Sequence, residues 1–166
     1  RINYIVYDND AGINEVISPN IAFCSGPKAI KVQIGNYGKN EIDSIKIGCL
    51  INGGNYQVYK WKGKIKTNFS DTVTIGTFDF SAGVDTIKTW TFNPNGQTDS
   101  FPPNDTATNI ITVNPLPSPN AGGNQSICNG NTYALGISSI KGHLYSWRSY
   151  PSGFSSTIST PTVSPT

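Results

Sequence analysis

The residue types that carry most enzyme chemistry are scarce in this 166-residue chain. His143 is its single histidine, and Glu15 and Glu41 are its only glutamates. General acid–base or nucleophilic catalysis needs a base beside a nucleophile or a second carboxyl group. The aspartates nearest to His143 in sequence, Asp99 and Asp105, fall in a different predicted domain. The sequence therefore predicts no catalytic residues and no enzyme activity.

Aspartates do occur in loops at the predicted ends of strands, where they could bind a metal ion. Asp8 and Asp10 lie near the start of the chain, and Asp99 and Asp105 precede the last predicted strand of the first domain. Calcium takes about six to eight oxygen ligands from carboxylates, amides and carbonyls. We therefore predict a calcium site at these four aspartates and no other cofactor. The alternative is that they are turn residues, a common role of aspartate.

The three cysteines leave one without a partner in this chain. Cys24 and Cys49 lie on or beside successive predicted strands, and a bond between them would close a loop of about 25 residues. We predict this disulfide, with two separate buried thiols as the alternative. Cys128 lies in the second predicted domain and is predicted to be unpaired in this fragment. A CxxC pair is missing, which argues against a zinc site.

The elements that position these residues are predicted to be strands. Short β-branched and aromatic runs recur about every ten residues between turn formers, which is typical of an antiparallel sandwich. We predict an all-β, immunoglobulin-like sandwich over residues 1–114. The predicted strands are Tyr4–Tyr7, Gly12–Ile17, Ala29–Ile34, Ser44–Leu50, Tyr56–Trp61, Thr72–Phe78, Thr86–Phe92 and Ala107–Val113.

The residue composition changes after the predicted sandwich. Residues 115–120 alternate proline with other residues and are predicted to form a semi-stiff linker. Residues 121–166 contain an apolar run at Tyr133–Ile137 and a predicted strand at Leu144–Arg148. This second unit is shorter than a sandwich of about 100 residues, so we predict an incomplete β domain.

Charge and hydropathy exclude two kinds of partner. The net charge is +2, too small for the clustered basic residues that nucleic acids require. No apolar run approaches the roughly 20 residues that cross a membrane, so no direct membrane insertion is predicted. Lysines alternate with apolar residues from Lys60 to Lys66, which predicts an edge strand protected by lysine. The alternative is a stripe that binds polyanions.

Aromatic residues suggest a carbohydrate site. Tyr59 and Trp61 share one face of a predicted strand, where exposed rings could stack on sugars. Trp90 and Phe92 also share a face and are predicted to lie in the core. These rings support an alternative function, that of a carbohydrate-binding accessory module in a secreted polysaccharide-degrading enzyme.

Motifs along both domains resemble known repeats. The first domain resembles the cell-adhesion-related, CARDB-type immunoglobulin-like domain, and the second resembles the start of a PKD-like repeat. The residues that carry the first resemblance are Asp10–Ile13, Cys24–Gly26, Val32–Gly38, Ile51–Gly54, Trp61–Gly63 and Thr91–Gly96. Those that carry the second are Ala121–Gly122, Ile127–Gly130, Tyr145–Trp147, Pro151–Thr157 and Pro161–Thr166.

The resemblance implies a function without catalysis. Such arrays occur in large bacterial surface adhesins and gliding-associated proteins that are exported by type IX secretion. It implies an extracellular, cell-surface protein that acts as a stalk or filament or as an adhesive surface. The expected partners are neighbouring immunoglobulin-like repeats of the same chain, together with surface glycans or other cell-surface proteins.

One further motif resembles the O-glycosylation acceptor of the same group of exported proteins. In it, an aspartate is followed by serine or threonine and then by a small or aliphatic residue. Four of the eight aspartates are in this context. The alternative is that aspartate ends a turn and a Thr-aliphatic pair begins a strand. The predicted acceptors are Ser44, Thr72, Thr86 and Thr106.

Overall fold

The computed structural model describes residues 7–164, so the predicted strand Tyr4–Tyr7 lies almost wholly outside the described residues. The chain divides into two compact units, the first ending at Leu116 and the second beginning at Pro117. This division falls within the proline-rich segment 115–120. Each unit is described by itself below.

The first unit consists of two packed sheets. One sheet has the strand order β1-β3-β6, and the other has the order β2-β8-β7-β4-β5. All pairings are antiparallel except the short parallel pair of β2 with β8. The prediction of an all-β immunoglobulin-like sandwich is confirmed. The strands are β1 Ala11–Ser18, β2 Phe23–Cys24, β3 Gly26–Asn36, β4 Ile42–Ile51, β5 Gln57–Ile65, β6 Ser70–Phe80, β7 Gly83–Phe92 and β8 Thr106–Asn114.

The core between the sheets follows from alternation along β3 and β4. Ile30, Val32 and Ile34 are completely buried on β3, as their spacing of two residues predicts. Ile45 and Ile47 face them from β4. Burying a side chain of this size stabilises the fold by about 1.5–3 kcal/mol before the ordering entropy is counted.

Two turns place residues in the left-handed region that their residue types tolerate. Asn52 and Gly53, which join β4 to β5, have φ angles of 51° and 71°. Asn93 and Asn95 lie after β7 with φ angles of 53° and 51°. Asparagine and glycine tolerate this region of backbone conformation, which is why they are common in turns. Asn95 then connects distant loops, because its side-chain amide donates to the Glu41 carbonyl at 2.9 Å.

The second unit has much shorter strands. β9 (Tyr133–Ala134) pairs with β12 (Thr162–Val163), and β10 (Trp147–Arg148) pairs with β11 (Ser155–Ser156). The predicted run 133–137 is thus two residues long as a strand. It is interrupted at Gly136, whose φ is +83° and where an added Cβ would clash with the Ser159 carbonyl oxygen and the Trp147 ring.

Candidate functional site

Three of the four aspartates predicted as calcium ligands lie at one end of the sandwich. Asp10 immediately precedes β1, Asp99 lies in the loop between β7 and β8, and Asp105 immediately precedes β8. Asp10 and Asp99 are 2% and 8% exposed, so two carboxyl groups are almost completely removed from water. Burying a carboxylate is costly unless it is hydrogen-bonded or paired with a cation.

Hydrogen bonds account for part of this buried polarity. Asp99 accepts from the main-chain N–H of Ala11 at 2.9 Å and from that of Phe101 at 2.8 Å, one on each oxygen. Asp10 accepts from the Asn104 side-chain amide at 2.8 Å. These contacts join the start of β1 to the loop between β7 and β8.

Asp105 is the least compensated of the three. Burial, followed by the nearby charges of Asp99 and Asp10, raises the pKa of Asp105 from 3.8 to about 7. Its nearest side-chain donor is the Thr91 hydroxyl at 3.5 Å, and that hydroxyl donates at 2.6 Å to the Ala11 carbonyl. Burial also raises the pKa of Asp10, against the opposing effect of the Asn104 hydrogen bond.

One observation favours a cation bound at this cluster, and two argue against it. Asn104 Oδ1 is buried beside Asp10 with no hydrogen-bond donor, the kind of oxygen that a cation would satisfy. Against this, no three His, Cys, Asp or Glu side chains within residues 7–164 are close enough to share a metal. Both Asp99 oxygens are occupied by main-chain N–H groups. A cation would therefore depend on Asp10, Asp105 and Asn104, and calcium binding stays a prediction.

Asp8 does not belong to this cluster, and its assignment as a ligand is not supported. Its carboxylate pairs with Lys39 at 2.6 Å, and its side chain is 62% exposed. The neighbouring main chain explains the placement. The Asp8 carbonyl accepts from the Asn40 N–H at 3.1 Å, which holds this segment against the loop between β3 and β4.

The predicted Cys24–Cys49 disulfide is absent from the structure, where Cys24 is exposed and Cys49 is buried. Cys24 lies on β2 and Cys49 on β4, with β8 and β7 between them. Three strand spacings alone separate them by at least about 14 Å. A disulfide requires Cα atoms within about 7 Å, so the prediction of neighbouring strands was wrong. Burial raises the pKa of Cys49 to about 11, which keeps it an unreactive thiol. Cys128 is also a free thiol and is exposed.

Trp61 is not a ligand-face residue. It is 7% exposed and packs in the core, with Ile65 on the same side of β5. The indole lies across Gly63, where an added Cβ would be 2.4 Å from a ring carbon. Tyr59 has the same parity but is 37% exposed near the end of the strand. The inward side of β5 therefore offers no aromatic platform.

The aromatic residues that do face outward are on β7. Trp90 and Phe92 were predicted to be core residues, but the buried positions on this strand are Asp85, Ile87, Thr89 and Thr91. Polar residues occupy the buried face here because they find partners, as Thr91 does with the Ala11 carbonyl. Hydrophobic alternation alone consequently selected the wrong face of β7.

The Trp90 ring packs against defined neighbours on this outer face. Gly48 lies opposite it on β4, and an added Cβ there would lie 2.3 Å from a carbon of the indole. The Tyr56 ring lies beside the indole, with centroids 5.6 Å apart. Thr106 on β8 is the register partner of Trp90. Together with Leu50 and Lys88, Trp90 and Thr106 line a shallow surface depression.

The predicted glycosylation acceptors are accessible to different degrees. Thr72, Thr86 and Thr106 are exposed, and Ser44 is half-buried. Two of the preceding aspartates have local roles, because Asp43 accepts from Ser44 Oγ at 3.0 Å and Asp71 accepts from the Thr72 N–H at 2.8 Å. These contacts agree with the alternative of an aspartate near the start of a strand, and glycosylation stays a prediction.

His143 lines a groove in the second unit. Its neighbours there include Pro117, Ile140, Leu144 and Trp147, and no Asp, Glu or Cys contributes to the lining. This described groove therefore does not supply the partners that a catalytic histidine would need.

Among residues 7–164 there is no helix long and apolar enough to span a membrane.

The sheet order and the core define the first unit as an immunoglobulin-like β-sandwich. Its fold is that of the CARDB domain, which confirms this part of the resemblance. A crystal structure of a CARDB domain from Pyrococcus furiosus, solved in complex with di-metal ions, matches with a TM-score of 0.52 and 19% identity. The match covers 69% of this chain and 100% of that domain.

A solution NMR structure of the same archaeal domain matches with a TM-score of 0.48 and 18% identity, covering 66% of this chain and 98% of that one. No protein-family model and no curated protein matches the sequence.

Proposed function

We propose that this chain is a non-catalytic module of a large extracellular surface protein, acting as a stalk and as an adhesive surface. The observation that carries the proposal is the arrangement of two β units in series, the first with a CARDB fold, separated within a proline-rich segment. Modules of this kind need contacts only with their neighbours, so their loops and outer faces are free to bind partners.

The strand pairing of the first unit supports a role in transmitting tension along a stalk. β8 pairs with β7 over eight registered positions and leads directly into the proline-rich segment. β3 pairs with β6 over ten positions. Long antiparallel ladders resist extension because many hydrogen bonds must break before the strands separate.

The location can be tested with antibodies raised against residues 7–116. They are expected to label intact cells of the organism that makes the protein, and brief protease treatment of those cells should remove the label. A cytoplasmic protein of the same cells serves as the control for membrane integrity. Labelling that requires permeabilisation would overturn the proposal of an extracellular module.

A second candidate function is that of a carbohydrate-binding accessory module attached to a secreted polysaccharide-degrading enzyme. The outward Trp90 ring supports this candidate, since it stands where a sugar ring could stack. The same antibodies can isolate the native polypeptide for peptide mass spectrometry. A hydrolase domain in that polypeptide would favour the accessory module, and further β repeats would favour the stalk.

A further inference from the structure

Positive charge predominates on the outer face of the five-stranded sheet. The outward positions of β4, β5, β7 and β8 follow from the strand registers. From Ser44 onward on β4, and along β5, β7 and β8, they carry five lysines and no Asp or Glu, although the whole chain has a net charge of only +2; the exposed Asp43 lies at the irregular start of β4. The lysines are Lys46, Lys60, Lys62, Lys64 and Lys88.

The charges on this face are largely uncompensated. Lys64 pairs with Glu41 at 3.2 Å, whereas no carboxylate within the described residues is within ion-pair distance of the other four lysines. Lys46 and Lys60 are direct register partners on the same face. Like charges placed opposite each other destabilise a sheet, so an anionic ligand would relieve a repulsion already present.

The rings and the charges alternate along the sheet. Lys46 lies 5.7 Å above the centre of the Phe92 ring, in the row next to Trp90, and Lys88 lies in the row on the other side of Trp90. Strand geometry places Lys46 and Lys88 about 14 Å apart with the indole between them. A polymer lying across this face would meet a cation, an aromatic ring and a second cation in turn.

The chemistry of the face favours a polysaccharide over a protein or a nucleic acid. The backbone of the sheet interior is already paired, so a peptide lying there would gain no main-chain hydrogen bonds. Nucleic acids favour arginine forks on their phosphates, and every cation on this face is a lysine. Threonine hydroxyls at 106 and 108 add hydrogen-bonding groups beside the indole, which suits hydroxyl-rich sugars.

We propose that the outer face of the five-stranded sheet binds an anionic polysaccharide, with Trp90 stacking on a sugar ring and Lys46, Lys60 and Lys88 binding its carboxylate or sulfate groups. This deepens the proposed adhesive function by naming the class of ligand. Carboxylated and sulfated polymers share the chemistry that these side chains recognise.

The test measures binding of the full chain, produced without glycosylation, to four immobilised probes. Polygalacturonate tests carboxylates, dextran sulfate tests sulfates, dextran tests neutral sugar and poly-dT tests nucleic acid. We expect binding to one or both anionic polysaccharides that weakens with added salt, and none to dextran. Binding to neither anionic polysaccharide would overturn the proposal. So would binding to poly-dT that is tighter than binding to both polysaccharides and that Trp90→Ala reduces.

Variants locate the binding face. The double variant Lys46→Gln, Lys88→Gln should weaken binding about fivefold or more, because two charge contacts are lost. Trp90→Ala should weaken it to a similar degree through lost stacking. The matched control removes two exposed lysines from β3, Lys28→Gln and Lys31→Gln, and Lys28 likewise lies over a ring, that of Phe23 at 5.3 Å. Equal losses in both double variants would show nonspecific attraction and refute the assignment.

These outcomes are separable from those of the cell-labelling experiment. An unmodified chain that fails to bind anionic sugars refutes this ligand class whatever the antibodies show. Labelling that requires permeabilisation refutes the extracellular module even where the sugars bind. The lysine variants also keep the test informative if Trp90→Ala does not fold, because Lys88 and the control lysines are exposed side chains.

Discussion

At the scale of single residues, the aspartates at the end of the sandwich make stability depend on pH. The pKa of Asp105 is raised from 3.8 to about 7 in the folded chain. Between these values the folded state holds a proton that the unfolded state has lost. Stability contributed by this group is therefore present below about pH 4, falls as pH rises towards 7, and is constant above that.

Asp105→Asn is expected to stabilise the protein at pH 8 and to have little effect at pH 4. The amide keeps the size of the side chain while removing a charge that burial and two neighbouring aspartates disfavour. We expect a gain on the order of 1 kcal/mol in the free energy of unfolding, after allowing for solvent screening. Urea unfolding at both pH values measures it, with the exposed Asp79→Asn as the control. An equal gain at both pH values would contradict the electrostatic account.

The calcium prediction can be tested on the same residues. Millimolar calcium is expected to raise the Tm of the chain at pH 7.5 by a few degrees, because a ligand that binds only the folded state stabilises it. Asp105→Asn should lose this shift, whereas Asp8→Asn should retain it because Asp8 pairs with Lys39. Sodium chloride at matched ionic strength controls for screening. An unchanged Tm in calcium would make the prediction wrong.

At the scale of strands, the local sequence predicted the long strands of the first unit but not how they are arranged in the sheets. The alternation of Ile30, Val32 and Ile34 predicted both β3 and its buried face. The two-residue β2 is too short for any periodicity, and its parallel pairing with β8 depends on residues about 90 positions apart. The Cys24–Cys49 prediction failed for the same reason, since adjacency in sequence does not determine adjacency in a sheet.

The face of β7 was unpredictable for a different reason. Its buried side includes Thr89 and Thr91, while the large apolar Trp90 lies outside. The tertiary structure compensates for this inversion, because the Thr91 hydroxyl reaches the Ala11 carbonyl of the other sheet. A partner 80 residues away in sequence leaves no local signal.

The lysines of β5 have a second consequence at the same scale. β5 is the edge strand of its sheet, as the lysine pattern predicted. Charged edges oppose strand addition by another molecule. Replacing Lys60, Lys62 and Lys64 by threonine is therefore expected to promote association, measured as a rise in sedimentation coefficient with concentration. Threonine at Lys28 and Lys31, on the central strand β3, should leave the sedimentation coefficient as it is in the unsubstituted chain. A triple variant that sediments like the unsubstituted chain would contradict this role of the charged edge.

At the scale of the whole molecule, the two units differ in what holds them together. The first contains the buried cluster of eighteen apolar side chains that fills the space between its sheets. Within residues 117–164 of the second, Pro161 alone is buried, and Leu144 and Tyr150 are fully exposed. Domains this small bury too little surface to be stable without further support. Most of the folding free energy must therefore reside in the first unit.

Ending the chain at Leu116 should accordingly leave the main unfolding transition unchanged. We expect a Tm within about 2 °C of that of the full chain, because no core side chain of the first unit is removed. Hydrogen exchange of the full chain should show slow amides on β3, β4 and β7 and fast amides throughout 121–164. Ile30→Ala is the positive control, since it leaves a cavity in the core and should cost about 2–5 kcal/mol. A large drop in Tm on truncation would instead mean that the second unit supports the first, and the sandwich would not be the independent module that a stalk of repeats requires.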